Sequence, residues 1–235
     1  MGTISNPSFG ELAKEASLQP QEKLQALKKD NNSLSIGIPK ETIFQEHRIP
    51  LSRMAVQLLV QQGHSVKLES NCGEKANFTD IEYCSHGAEI VLDAKEVYKA
   101  DIIIKVAPPT EEEVELMKPN QILISAIQMV RTKEIVIKRM LEKGIVAIGY
   151  EFLRDDENSL PIIRSMSELA GRASVLIAAE YLSNYNSGKG ELFGGLPGIQ
   201  PTQIVILGAG AVAEYAIKAA LGLGASVKVF DNSLE

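Results

Sequence analysis

The stretch Val205–Asp231 reads VILGAGAVAEYAIKAALGLGASVKVFD. Ile204–Leu207 is a short apolar run that suits a strand buried on both faces. Gly208, Gly210 and Ala213 follow at the spacing G-x-G-x-x-A. At that spacing the first glycine permits a tight turn, and the second lets a pyrophosphate approach the backbone. The small third residue lets helix and strand pack closely. A helix over 211–222 would aim its first N–H groups, around Ala211, Val212 and Ala213, at the phosphates. Ser226–Phe230 reads as a second strand, and Asp231 ends it. An acid about 20 residues beyond the glycines accepts hydrogen bonds from ribose hydroxyls, which favours NAD over NADP. Small residues so spaced can also serve packing alone. Here the strand, the helix, the second strand and the acid are all in place.

One strand–helix–strand unit is about half of a mononucleotide-binding half and lacks the strands beyond the switch point. Four residues follow Asp231. The expectation is the front part of a longer protein that stops inside its nucleotide domain. As a fragment it should be inactive, with an exposed sheet edge that invites pairing.

The 235 residues suit one large or two small domains, and 45% hydrophobic with 23% charged content is ordinary for a globular protein. A net charge of −6 argues against nucleic acid as a partner. No apolar run approaches a membrane span, and the N-terminal stretch lacks the apolar core of a signal peptide. Cys72 and Cys84 have no metal-ligand spacing, so a reducing cytoplasm is the expected setting, with no metal.

Upstream, residues 1–33 are polar and predict an extension with two short helices, Gly10–Ser17 and Pro20–Lys29. From Ser35 strands and helices alternate. Strands are expected at Ser35–Ile38, Ser65–Glu69, Glu89–Leu92, Asp101–Val106, Gln121–Ala126 and Ile145–Tyr150. Helices are expected at Ser52–Gly63, Thr79–His86, Thr110–Met117 and Thr132–Lys143, the third opened by the capping box TEEE. After the polar break DDENSL comes a long Ala-rich helix, Ser167–Asn184, and a glycine-rich loop, Asn186–Gln200. This order predicts an α/β chain of two Rossmann-like lobes with parallel sheets, the second incomplete. The first would be a substrate lobe over 34–150, and the second, over 151–235, the start of an NAD-binding domain. The long helix bridges them, and ligands usually bind in such a cleft.

Ligands of open α/β sheets bind at the carboxyl ends of strands. Three stretches fall there: IPKETIFQEHRIPLS with Lys40, Glu41, His47 and Arg48; IIIKVAPP with Lys105; and ISAIQMV with Gln128. Lys105 follows three isoleucines, so its charge must be paired, face a cavity, or mark a solvated strand end. Arg48 could hold a carboxylate bidentately, though alone it reads as a surface arginine. His47, His64 and His86 sit in polar surroundings or at helix ends and read as surface residues.

Taken together, GIPKETIFQEHRIPL, LLVQQGHSVKLESNCGE, IIIKVAPP, SLPIIRSMSELAGRASV, VILGAGAVAEYA and VKVFDNSLE are specific as a set. Over about 35–235 the chain resembles the alanine dehydrogenase / nicotinamide-nucleotide transhydrogenase alpha-subunit family. The resemblance implies a discontinuous substrate domain with an inserted NAD domain. It implies that Arg48 and Lys105 bind the carboxylate and carbonyl of a 2-oxo acid or amino acid. It places Ser167 by the nicotinamide and Asp231 on the ribose. At the position of the family's acid/base histidine stands Gln128, which can hydrogen-bond a carbonyl oxygen but cannot shuttle a proton near pH 7. The family's catalytic aspartate would lie beyond Glu235. The transhydrogenase branch also lacks that histidine, but DENSLPIIRSMSELAGR follows the dehydrogenase pattern. The leading expectation is therefore an NAD-dependent, cytoplasmic, homo-oligomeric amino-acid dehydrogenase of alanine dehydrogenase type. The alternatives are the NADH-binding subunit of a proton-translocating transhydrogenase and a non-catalytic NAD-binding homologue.

Overall fold

The computed structural model describes residues 33–232. The helices expected at Gly10–Ser17 and Pro20–Lys29 lie outside the described residues. Strands β1 (Ser35–Ile38), β2 (Ser65–Glu69), β3 (Glu89–Val91), β4 (Ile102–Ile104), β5 (Ile122–Ser125) and β6 (Val146–Gly149) form one parallel sheet. Its order is β3-β2-β1-β4-β5-β6, so the winding reverses between β1 and β4. Loops leaving the carboxyl ends of those two strands border a crevice.

The connecting helices are α1 (Arg53–Gln61), α2 (Asp80–Ser85), α3 (Ala94–Val97), α4 (Glu111–Leu116) and α5 (Glu134–Glu142). Local chemistry starts most of them. Ser52 caps α1, and capping boxes open α2 (Thr79 with Glu82) and α4 (Thr110 with Glu113). The short helix α3 was not expected from the sequence; it rests on an Asp93 cap over a single turn.

Two apolar cores sandwich this sheet. One gathers Ile36, Ile38, Val56, Val66, Leu68 and Tyr83; the other gathers Ile103, Val114, Leu123, Val136 and Met140. Each buried aliphatic side chain contributes about 1.5–3 kcal/mol.

The long helix α6 spans Pro161–Leu182, beginning six residues before the expected Ser167. Pro161 sits in its first turn, where the fixed φ is already helical and the missing N–H costs nothing. A second parallel pair, β7 (Gln203–Leu207) and β8 (Ser226–Phe230), flanks α7 (Ala211–Gly222). Helix α6 packs on α7 around Val175, Phe193, Ala216 and Ala220. Among the described residues, no helix is long and apolar enough to cross a membrane.

Candidate active site

The loop after β1 carries Glu41 and Arg48, and β4 runs directly into Lys105. Lys105 is fully buried. Its Nζ donates to both Glu113 oxygens at 2.8 Å and lies 3.3 Å from Glu41 Oε2. The charge that had to be paired or face a cavity is paired. In this arrangement the ammonium is turned to the two carboxylates, and Lys105 is not among the residues that line the cavities around Arg48. Two carboxylates share one ammonium in this triad. Burial pushes the Glu41 carboxyl above the usual carboxylate range, against the pull of Lys105.

Glu41 also shapes the crevice. Its Oε1 accepts from the backbone N–H groups of Val106, at 2.5 Å, and Ala107, at 3.3 Å. Glu151 does the same on the next strand's loop. Its carboxylate accepts from Ile127 N–H at 3.0 Å and Gln128 N–H at 2.7 Å. Gln128 needs that hold: its φ is +44°, a left-handed conformation that costs a side-chain-bearing residue about 1–2 kcal/mol. The turn is closed further by Arg131 and Thr132 N–H groups donating to Gln128 O.

Arg48 and Gln128 are brought together. They line a cavity of about 450 Å³ with Ile49, Tyr150, Glu151 and Met166. A neighbouring cavity of about 490 Å³ shares Arg48 and Gln128 and continues toward Glu111, Arg131 and Lys133. The Arg48 guanidinium is paired with Glu46, whose carboxyl that contact holds below its usual range. Burial pushes the Tyr150 hydroxyl up to about 12, so this lining residue is a neutral phenol at pH 7. The sequence alone does not point to Glu46, Tyr150 or Glu151. Tyr150 and Glu151 follow β6 directly, so the carboxyl-end rule that picked out Lys105 and Gln128 reaches them when applied to the last strand.

Across the cleft, α6 turns adjacent residues to different cavities. Met166 lines the Arg48 cavity, and Ser167 lines a groove of about 730 Å³ along the free edge of β7. That groove also takes in Gly208, Gly210, Ala211, Val212 and Ala213. Gly208 has φ +100°, and a Cβ on it or on Gly210 would meet nothing within 4 Å. Gly210 precedes α7 and gives its first turn no side-chain cap. Open space beside the turn and uncapped helix N–H groups fit a pyrophosphate. Asp231 folds back so that its carboxylate accepts from Ala209 N–H within the turn. The acid thus stands beside the glycine turn.

None of the three histidines lines these cavities. His47 is exposed. His64 and His86 are half-buried rather than surface residues: His64 Nδ1 accepts from Leu34 N–H at 3.2 Å, and His86 Nδ1 lies 2.7 Å from Glu82 O. Among the described residues no group of three or more His, Cys, Asp or Glu side chains could hold a metal.

Residues 37–170 match the family described as "Alanine dehydrogenase/PNT, N-terminal domain", and 174–235 match "Alanine dehydrogenase/PNT, C-terminal domain". An alanine dehydrogenase of Methanococcus maripaludis is 41% identical over 197 residues, which is 83% of this chain and 52% of the relative. One from Staphylococcus saprophyticus is 40% identical over 83% of this chain and 53% of its own length. A solved L-alanine dehydrogenase superposes with a TM-score of 0.80 at 38% identity, covering 86% of this chain and 55% of that one. A transhydrogenase from Sinorhizobium meliloti follows at 0.75 and 25% identity, over 85% and 57%. The chain thus spans about half the length of the curated relatives it matches.

Proposed function

We propose, from the premise that this chain belongs to the alanine dehydrogenase/PNT family, that it serves an NAD-dependent oxidoreductase of the alanine dehydrogenase type. The reaction is L-alanine, NAD and water to pyruvate, ammonium, NADH and a proton. One observation carries the reading: Met166 and Ser167, adjacent on α6, line a guanidinium-bearing cavity and a glycine-turn groove respectively. Such a wall lets an acid on one side meet a dinucleotide on the other.

When bound, NAD supplies hydride exchange at its nicotinamide ring; the rest is positioning by the protein. Arg48 would hold the substrate carboxylate. Gln128, fixed by Glu151, would donate its amide N–H to the carbonyl oxygen. Tyr150 offers a second neutral donor in the same cavity. Gly208, Gly210 and the first turn of α7 would carry the pyrophosphate, Asp231 the ribose, and Ser167 the nicotinamide end. Orienting both reactants in this way removes much of the entropic barrier. Lys105 acts from beneath, by pairing the carboxylate that fixes the Val106–Ala107 backbone. The same reading takes the assembly to be a cytoplasmic homo-oligomer.

Gln128 favours a second reading, the NADH-binding subunit of a transhydrogenase, because it cannot pass the proton that amine release requires. One experiment separates the two. NADH oxidation is followed with ammonium and a panel of 2-oxo acids, on this chain and on a version extended to the relatives' length. Turnover with pyruvate by the extended form supports the dehydrogenase. NADH binding by that form without turnover of any acid supports the transhydrogenase or a non-catalytic NAD-binding homologue.

A further inference from the structure

Arg48 makes two unlike contacts. Its Nε and Nη2 meet the Glu46 carboxylate side-on, at 2.8 and 2.6 Å, and its backbone N–H adds a third bond to Glu46 Oε1 at 3.0 Å. Its Nη1 meets Met166 Sδ at 3.3 Å, from the far wall of the cleft. The Glu46 side chain is 11% exposed, against 57% for Arg48. The turn behind them is built for this: Gln45 has φ +62°, and Glu46 N–H donates to Ile43 O at 3.1 Å.

A guanidinium offers a carboxylate two forks, side-on through Nε and Nη2 or end-on through Nη1 and Nη2. Glu46 fills the side-on fork and Met166 Sδ stands on Nη1 of the end-on fork, so a carboxylate that takes both donors of either fork competes with the contact already there. Displacing Glu46 would strand a nearly buried carboxylate without its cation, which is strongly unfavourable. Displacing a thioether forfeits only a weak acceptor. The end-on side is therefore the one open to exchange.

We propose that Glu46 is a positioning residue that holds Arg48 side-on, and that Met166 Sδ is the placeholder a substrate carboxylate displaces from the end-on fork. The inference rests on the reading of Arg48 as the carboxylate receptor. It deepens that reading in two ways. The carboxylate is placed between Arg48 and α6, in the cavity that Gln128 and Tyr150 also line. Substrate entry then exchanges a contact between the two walls of the cleft for one that both walls share.

The test is ¹⁵N NMR of the Arg48 Nε–H in the 235-residue chain and in Glu46→Gln and Met166→Leu, with pyruvate as the probe. Without ligand, this N–H should exchange slowly in the native chain and quickly in Glu46→Gln. Pyruvate should shift it in the native chain. Glu46→Gln should bind pyruvate about tenfold more weakly, because an unheld guanidinium must be ordered on binding. Met166→Leu should bind as tightly as the native chain, or up to about threefold more tightly. Equal or tighter binding by Glu46→Gln would make Glu46 the competitor and overturn the proposal, while a pyruvate-shifted Arg48 keeps the receptor reading. Met166→Leu binding about tenfold more weakly would overturn the placeholder role. If pyruvate leaves Arg48 unmoved in all three forms while the ligand-free exchange pattern holds, the receptor reading falls and takes the proposal with it.

Discussion

Lys105 can be judged by what its removal would do. A substrate ligand at a cleft wall can be truncated with little loss of stability. A buried ammonium between two carboxylates cannot, because Glu41 and Glu113 would be left as uncompensated buried charges. Lys105→Met should destabilise by about 3–5 kcal/mol in urea or thermal unfolding; a loss below about 1 kcal/mol would return Lys105 to the list of exposed ligands. The triad also gives a pH dependence. Glu41 has a folded pKa above its unfolded value, so the folded state holds this proton more tightly. The group's stabilisation is complete below the unfolded value, near 4.3, and is lost as pH rises through the folded pKa. Glu41→Gln keeps the shape and removes the charge, leaving the Lys105–Glu113 pair neutral. Its melting temperature relative to the native chain should rise with pH across that window; a pH-independent difference would mean that Glu41 titrates normally. At the cleft, Gln128→His in the extended protein would supply the missing proton carrier. On the dehydrogenase reading, kcat should rise by about 10² or more, with a new limb in the pH–rate profile near 6.5. Unchanged turnover would leave Gln128 out of the proton path.

Helices α6 and α7 meet so closely at Gly171 that a side chain there has no room. A Cβ would lie 2.8 Å from Tyr215 Cβ and 2.9 Å from Ala216 N, and would strike Val212 O. Gly171→Ala should therefore cost about 1–3 kcal/mol through overpacking. It should also weaken NADH binding, since Val212 belongs to the first turn behind the glycines; full affinity in the variant would separate the helix contact from the nucleotide site. Contacts of this kind are where sequence reading thins out. Strand positions, capping boxes and the glycine turn are written in neighbouring residues, so β1 to β8 fell within a residue or two of their expected places. The start of α6 was missed because the Ser and Asp/Asn residues that signal a helix N-terminus are scattered along 155–167, while Pro161 alone carries the signal. The polar clamps were less legible still. Sequence places Glu41 near the crevice, but its grip on Val106 crosses 65 positions, and that of Glu151 on Gln128 crosses 23. No local pattern announces a bond of that span. The pairing of Lys105 is readable only as a requirement; Glu113, which meets it, reads as part of the capping box and does both jobs.

At the scale of the whole chain, the two sheets differ in how they are covered. In the six-stranded sheet, Ile36, Ile38, Val66, Leu68, Ile103 and Leu123 are all buried. In the β7–β8 pair only one face is packed: Ile204, Ile206 and Val227 lie against the core shared with α6 and α7. On the other face Val205 is 53% exposed, Leu207 82% and Phe230 59%. These residues are in register, with Val205 beside Lys228 and Leu207 beside Phe230, so they form one apolar surface broken by a single charge. Among the described residues β7 pairs only with β8, so its outer edge, which borders the same region, presents N–H and C=O groups that can accept another strand. An apolar face joined to an open edge is a pairing surface. The 235-residue chain should therefore self-associate with rising concentration in light scattering and bind a hydrophobic dye. Leu207→Glu adds a charge on that face beside Phe230, and Val205→Lys adds one beside Lys228. Each should reduce both signals without lowering the melting temperature by more than a few degrees, because neither side chain packs in the core. Extension to the relatives' length should abolish both signals if the added strands take the edge. A native chain that stays monomeric and dye-silent at high concentration would show that the exposed face of β7 and β8 is no docking surface, and that the groove beside them is free for ligand alone.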